Sequence, residues 1–167
     1  MKAKHCSDLV ETPSKEGSFP TKVNYDLSVE SLVEHGRYDW KNRDIISDSF
    51  RTGRKGEANL SLELVHLNQE ITSEEVLKEL DKRGLRPAEL HELLSFGIKY
   101  PEEQRKYPIV ALGSVWRNLN GVRGVAGLVG GGGWHGDWRG GWRDLALYLD
   151  DFGSRWRVNC RFAAVRK

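Results

Sequence analysis

Gly130 to Gly133 can form neither a helix nor an ordinary sheet strand. A run of glycines gives up the most backbone freedom on ordering and offers no side chain to pack. The run lies inside residues 115–165, which hold five of the six Trp and eleven of the eighteen Gly in the chain. Regular periodicity fades after Trp116 and returns only at Leu145 to Leu149 and from Trp156 to Val165. A long excursion between strands is therefore expected. Loops of this length in compact domains are functional or disordered, and Trp at this density argues against disorder. The side-chain alphabet changes as well. From Tyr107 to Arg166 there is no Lys, Glu, Gln or Met, although those four types fill 27 of the first 117 positions.

With 167 residues, the chain is expected to be one domain with a tail, large enough to bury roughly two-thirds of its unfolded surface. Residues 1–20 are rich in Lys, Ser, Glu, Thr and Pro and are expected to be a flexible tail, leaving 21–167 as the domain. No apolar run reaches membrane-spanning length and no signal peptide is seen, so a cytoplasmic location is expected. Cys6 and Cys160 make neither a disulfide framework nor a metal knuckle. The net charge is only +2, but residues 113–167 carry nine Arg and Lys against four Asp. Such a basic segment admits an acidic or nucleic-acid partner; equally, Arg has replaced Lys as the solubilising charge.

Tyr25, Leu27 and Val29 alternate as a strand would, and the residues that follow also fit a short helix. Ile45 to Phe50 reads as strand or short helix. Leu60, Leu62 and Leu64 mark the inward face of a clear strand. Thr72-Ser-Glu-Glu75 is a capping box for a helix buried through Val76, Leu77 and Leu80 and ended by Gly84. Pro87 is expected at the first position of a second helix, whose buried stripe is Leu90, Leu93, Leu94 and Phe96, closed by Gly97. Residues 101–106 form a polar connector, and 108–116 read as a strand buried on both faces. In the last strand Trp156, Val158, Cys160, Phe162 and Ala164 point one way, and Arg157, Asn159 and Arg161 the other.

Catalytic signatures are absent from the sequence. His5, His35, His66, His91 and His135 lack metal-ligand spacing. Asp150-Asp151 reads as a turn. The glycine run fits neither a P-loop nor a dinucleotide fingerprint, and there is no Gly-x-Ser-x-Gly elbow. Cys160 falls on an inward strand face and reads as core. An enzyme, a metal and a cofactor are not expected. Trp138-Arg-Gly-Gly-Trp-Arg143 interleaves aromatic and guanidinium groups in a way that suits stacking on single-stranded bases.

Four stretches carry a resemblance: Ile71 to Leu90, Phe96-Gly97, Tyr107-Pro-Ile-Val-Ala-Leu-Gly-Ser-Val-Trp116, and Cys160-Arg-Phe-Ala-Ala-Val-Arg-Lys167. Through them the chain resembles the variable proteins of diversity-generating retroelements, which have a C-type-lectin fold, and most closely their small archaeal and candidate-phylum form. It departs from the wider family in its close, Arg161-Phe-Ala-Ala-Val-Arg166, and in the Gly130–Gly133 run. The resemblance implies an α+β fold with two helices packed on a small antiparallel sheet and a long, irregular, ligand-facing C-terminal region. It also implies that a template copy is reverse-transcribed with errors at adenines, so that Asn codons become codons that cannot specify Lys, Glu, Gln, Met or Trp. The changed alphabet after Tyr107 is what such a rule leaves. No calcium-dependent sugar motif accompanies it.

On this reading Trp116, Leu145, Leu147, Leu149, Trp156, Val158 and Phe162 form the apolar frame, and the variable region spans about 116–160. The expected diversified, solvent-facing positions are Asn118, Asn120, Val122, Gly124, Ala126, Leu128, Gly131, His135, Asp137, Arg139, Ala146, Tyr148, Gly153, Arg155, Arg157 and Asn159. The function implied is binding of a protein or other macromolecular ligand by a monomer. The alternative is a small nucleic-acid-binding domain using Arg139, Arg143, Arg155, Arg157 and Arg161 with Trp138 and Trp142.

Overall fold

A computed structural model describes residues 17–130 and 145–167. Among them the chain forms β1 (Ser18–Asn24), α1 (Val29–Gly36), β2 (Trp40–Lys41), β3 (Glu57–His66), β4 (Ile71–Thr72), α2 (Ser73–Lys82), β5 (Leu85–Pro87) and α3 (Leu90–Lys99). A 3-10 turn at Glu103–Arg105 leads into β6 (Ile109–Val110), β7 (Trp116–Arg117), β8 (Arg123–Gly130), β9 (Leu145–Asp151), β10 (Arg155–Trp156) and β11 (Arg161–Arg166). The fold class is α+β.

One large sheet runs β1-β3-β11-β6-β8-β9-β2, with β5 paired to β11 and β7 to β8. It is mixed rather than purely antiparallel, because β11 runs parallel to β6 and β2 parallel to β9. Both faces of its centre are covered. On one face Leu62, Ile109, Ala126, Leu128, Leu147, Ala163 and Val165 pack under α1 and α3. On the other, Val65, Val110, Val125, Phe162 and Ala164 pack with Val76 and Leu80 of α2, Phe152 and Trp156. Within that second layer β10 pairs with β4 in a separate two-stranded ribbon.

Local signals account for the helices. Ser28 caps α1 by accepting from Ser31 N at 3.1 Å, and Val29, Leu32 and Val33 form its buried face. The alternating pattern from Tyr25 is thus overridden by a cap, and the strand lies earlier, at β1. Its first three residues, Ser18 to Pro20, fall inside the stretch expected to be tail. The capping box at Thr72 and Glu75 is present, and Gly84 takes φ 70° just past α2. Pro87 does not open a helix. The part of β11 beyond β6 pairs with residues 85–87 as a strand, with Ala164 opposite Pro87, so α3 starts at Leu90 and runs past Gly97 to Lys99.

Two expected strands are shorter than their apolar runs. Residues 108–116 break into β6 and β7 around Gly113, whose N–H donates to the Ala88 carbonyl at 2.9 Å. The last strand begins only at Arg161, because 157–160 close a turn through Cys160 N and the Arg157 carbonyl at 3.1 Å. That turn pushes Val158, expected in the frame, out to 46% exposure. Residues 45–50 form turns rather than strand or helix, pinned by burial of Ile45 and Phe50.

Candidate functional site

The β7–β8 connection is built by Asn118. Its Oδ1 accepts from Asn120 N at 2.9 Å and Val122 N at 3.0 Å. Two backbone bonds, Asn118 N to the Val122 carbonyl and Gly121 N to the Asn118 carbonyl, close the same loop, and Gly121 supplies the φ of 81° that it needs. The turn is rigid, and what it presents is apolar. Leu119 stands fully in solvent, and Val115 and Val122 are 44% and 46% exposed. Behind it lies a groove of about 170 Å³ lined by Trp116, Asn118, Val122, Gly124, Leu149, Asp150 and Asp151.

The β9–β10 turn sits beside it, since Gly124 pairs with Asp151. Phe152 N donates to the Arg123 carbonyl at 2.8 Å, and the Arg123 guanidinium lies 4.5 Å from the centre of the Phe152 ring. Gly153 N donates to Asp151 Oδ1 at 2.8 Å. The turn is tied to α2 by the buried Ser73 hydroxyl, which donates to the Phe152 carbonyl at 2.6 Å and accepts from Trp156 Nε1 at 2.9 Å. Ser73 escaped the sequence reading, which took the capping box for a helix signal alone.

Arg157 and Asn159 stand apart from these turns. Arg161 pairs with Ile109 and His66, and Ile109 pairs with Leu128, so the 157–160 turn belongs to the end of the sheet where β8 finishes and β9 starts. The His66 Nε2–H donates to the Val158 carbonyl at 2.9 Å. Arg161 donates to the Asn159 carbonyl at 2.8 Å and stacks 4.1 Å from the centre of the Tyr107 ring.

The sixteen expected variable positions therefore fall into four groups. Asn120, Val122, Gly153, Arg155, Arg157 and Asn159 are exposed. Asn118, Gly124 and Ala146 are half-buried, and the Asn118 amide oxygen is committed to its own turn. Ala126, Leu128 and Tyr148 are not solvent-facing: they are 2%, 0% and 8% exposed. Strand β8 lies between β6 and β9, with helices over one face and the Trp156 layer over the other, so alternation cannot turn any residue at its centre to water. Tyr148 packs its ring over Gly127, its partner on β8. Gly131, His135, Asp137 and Arg139 lie outside the described residues, as do Trp138, Trp142 and Arg143.

The expected frame is otherwise in place. Leu145, Leu147, Trp156 and Phe162 are buried, while Trp116 and Leu149 pack against the core edge. Burial pushes the Cys160 thiol up, with Asp150 adding to the effect, so it sits protonated in the core. Among the described residues no cluster of His, Cys, Asp and Glu could hold a metal ion, and no helix is long and apolar enough to cross a membrane. No family model, curated protein or solved structure matches the chain.

Proposed function

We propose that this α+β protein is a ligand-binding domain that recognises a protein or other macromolecule through turns of its C-terminal half. We further propose that it is a C-type-lectin-like variable protein whose exposed turn positions are diversified by adenine-directed retroelement mutagenesis. One observation carries the binding reading: the 118–122 turn is locked by four hydrogen bonds, yet holds Leu119 fully in water. A rigid backbone that displays an apolar side chain has already met the ordering cost of an interface anchor. The changed side-chain alphabet and the sequence resemblance support diversification. The nucleic-acid alternative ranks below, because Arg161, one of its five arginines, is spent on Tyr107 and the Asn159 carbonyl.

The test is the nucleotide sequence of the gene and its flanks. The expected result is a near-repeat of the segment encoding about residues 118–166, mismatched only at template adenines, beside a reverse-transcriptase gene. Absence of any such repeat overturns the diversification reading. Binding is tested separately by a salt titration against a selected protein partner and against single-stranded oligonucleotide. Affinity that falls steeply with salt, and only for the oligonucleotide, would establish the alternative.

A further inference from the structure

The pleat of the sheet sorts the side chains at the β7–β8–β9 corner. Trp116 pairs with Gly124, and Gly124 with Asp151. Leu149, two residues before Asp151, lies on the same face as these three, against the core under α1 and α3. Arg117 pairs with Arg123, and Arg123 stacks on Phe152 on the opposite face. Arg117 and Arg123 are thus held on the face away from Asp151, where Arg123 also lies 3.9 Å from a Glu74 carboxylate oxygen.

Gly124 leaves the floor of the groove open. A Cβ there would sit 3.7 Å from the Trp116 ring and 3.8 Å from Leu149 Cδ2, which is ordinary contact, so neither side chain closes over Gly124. Asp151 stands at the rim. Its Oδ1 is used by Gly153 N, and it enters no ion pair among the described residues.

We infer that this groove is a subsite for a cationic side chain of the protein partner, arginine above lysine, with its stem over Gly124 between Trp116 and Leu149 and its charge at Asp151. The inference rests on the proposed binding function and names the chemistry of one contact within it. A planar, weakly hydrated guanidinium stacks on an indole and pairs with a carboxylate in one pose. The Leu119 and Val122 side chains beside the groove would flank that anchor with apolar contact. The segregation of Arg117 and Arg123 to the other face removes the repulsion that such a ligand would otherwise meet.

The probe is n-butylguanidinium, titrated into the full chain while the Trp116 indole N–H is followed by NMR, with n-butanol as the neutral control. The expected result is saturable movement of the Trp116 signal with a Kd of about 1–10 mM, and no saturation by n-butanol. Asp151→Asn keeps the Oδ1 acceptor for Gly153 and removes the charge; it should weaken the probe about threefold. Gly124→Val should fill the floor and abolish saturation with the fold intact by amide spectra. An unresponsive Trp116, equal response to n-butanol, or unchanged affinity in Asp151→Asn overturns the subsite. A macromolecular partner that binds regardless of both variants leaves the binding function standing without the subsite. A saturable probe with no partner in selections leaves the subsite without the function.

Discussion

Three glycines on β8 look alike in sequence and are held for different reasons. At Gly127 a Cβ would lie 2.5 Å from the Tyr148 ring, and at Gly130 it would lie 2.5 Å from the Arg105 backbone. At Gly124 it would meet only ordinary contacts, at 3.7 Å and beyond. Gly127→Ala must displace the buried Tyr148 ring, for a loss of about 1–3 kcal/mol. Gly124→Ala should change stability by no more than about 0.5 kcal/mol. Urea midpoints of the two variants measure the difference; equal midpoints would show that Tyr148 is not wedged over Gly127. Of the three, Gly130 was read in the sequence as opening a run that excludes an ordinary strand, yet it closes β8. The strand exists because neighbours fill the space over Gly127 and Gly130, and that filling depends on register, which composition does not carry.

At the scale of the element, local chemistry was legible where it is self-contained. The capping box of α2 and its terminating Gly84 need only their own turn, and both stand where the sequence put them. The start of α3 does not, because Pro87 answers to β11. What fixes α3 instead is Glu92. It is fully buried and accepts from the Glu89 N–H, from Arg86 through two nitrogens, and from the Tyr25 hydroxyl. Desolvation pushes its carboxyl up, but Arg86 and the other donors outweigh it and hold the group below its ordinary 4.5. The stability that it contributes is therefore whole above the ordinary glutamate range and is lost as pH falls through the lower folded value. Glu92→Gln leaves the Arg86 charge without its partner and should cost about 2–4 kcal/mol at neutral pH. It should also flatten the acid limb of a stability profile followed by urea midpoint against pH. A limb as steep as that of the parent would assign acid sensitivity to other groups. Ser73→Ala is a second probe of this kind: it strands the Trp156 N–H and the Phe152 carbonyl, for a loss of about 2 kcal/mol by the same denaturation.

At the scale of the whole molecule, β3, α2, β9 and the expected frame apart from Val158 were readable, whereas β8, which stands where a long excursion was expected, and the exposed face were not. Alternation identifies an outward side only when one face of a sheet meets water, and this sheet is covered on both by layers formed from distant parts of the chain. Positions that tolerate exchange are consequently pushed to its ends: Asn120, Val122 and Gly153 at one, Arg157 and Asn159 at the other, with Arg155 on the covering layer. This arrangement makes a direct prediction about libraries. Randomising Asn120, Val122, Gly153, Arg155, Arg157 and Asn159 should leave most members folded, since all six are exposed and changes to exposed side chains cost within about 0.5 kcal/mol each. Randomising Ala126, Leu128 and Tyr148 should unfold most members. Overpacking or truncation at such sites costs about 1–5 kcal/mol apiece, against a total stability of about 5–15 kcal/mol for a domain. Surface display with a protease challenge reads both libraries in one experiment. Equal survival would mean that the centre of the sheet is open to water and that the two-layer cover is not the arrangement in solution. Survival of the first library alone would also define where a diversifying mechanism could write without loss of fold, which restricts it to separate patches rather than one continuous strand face.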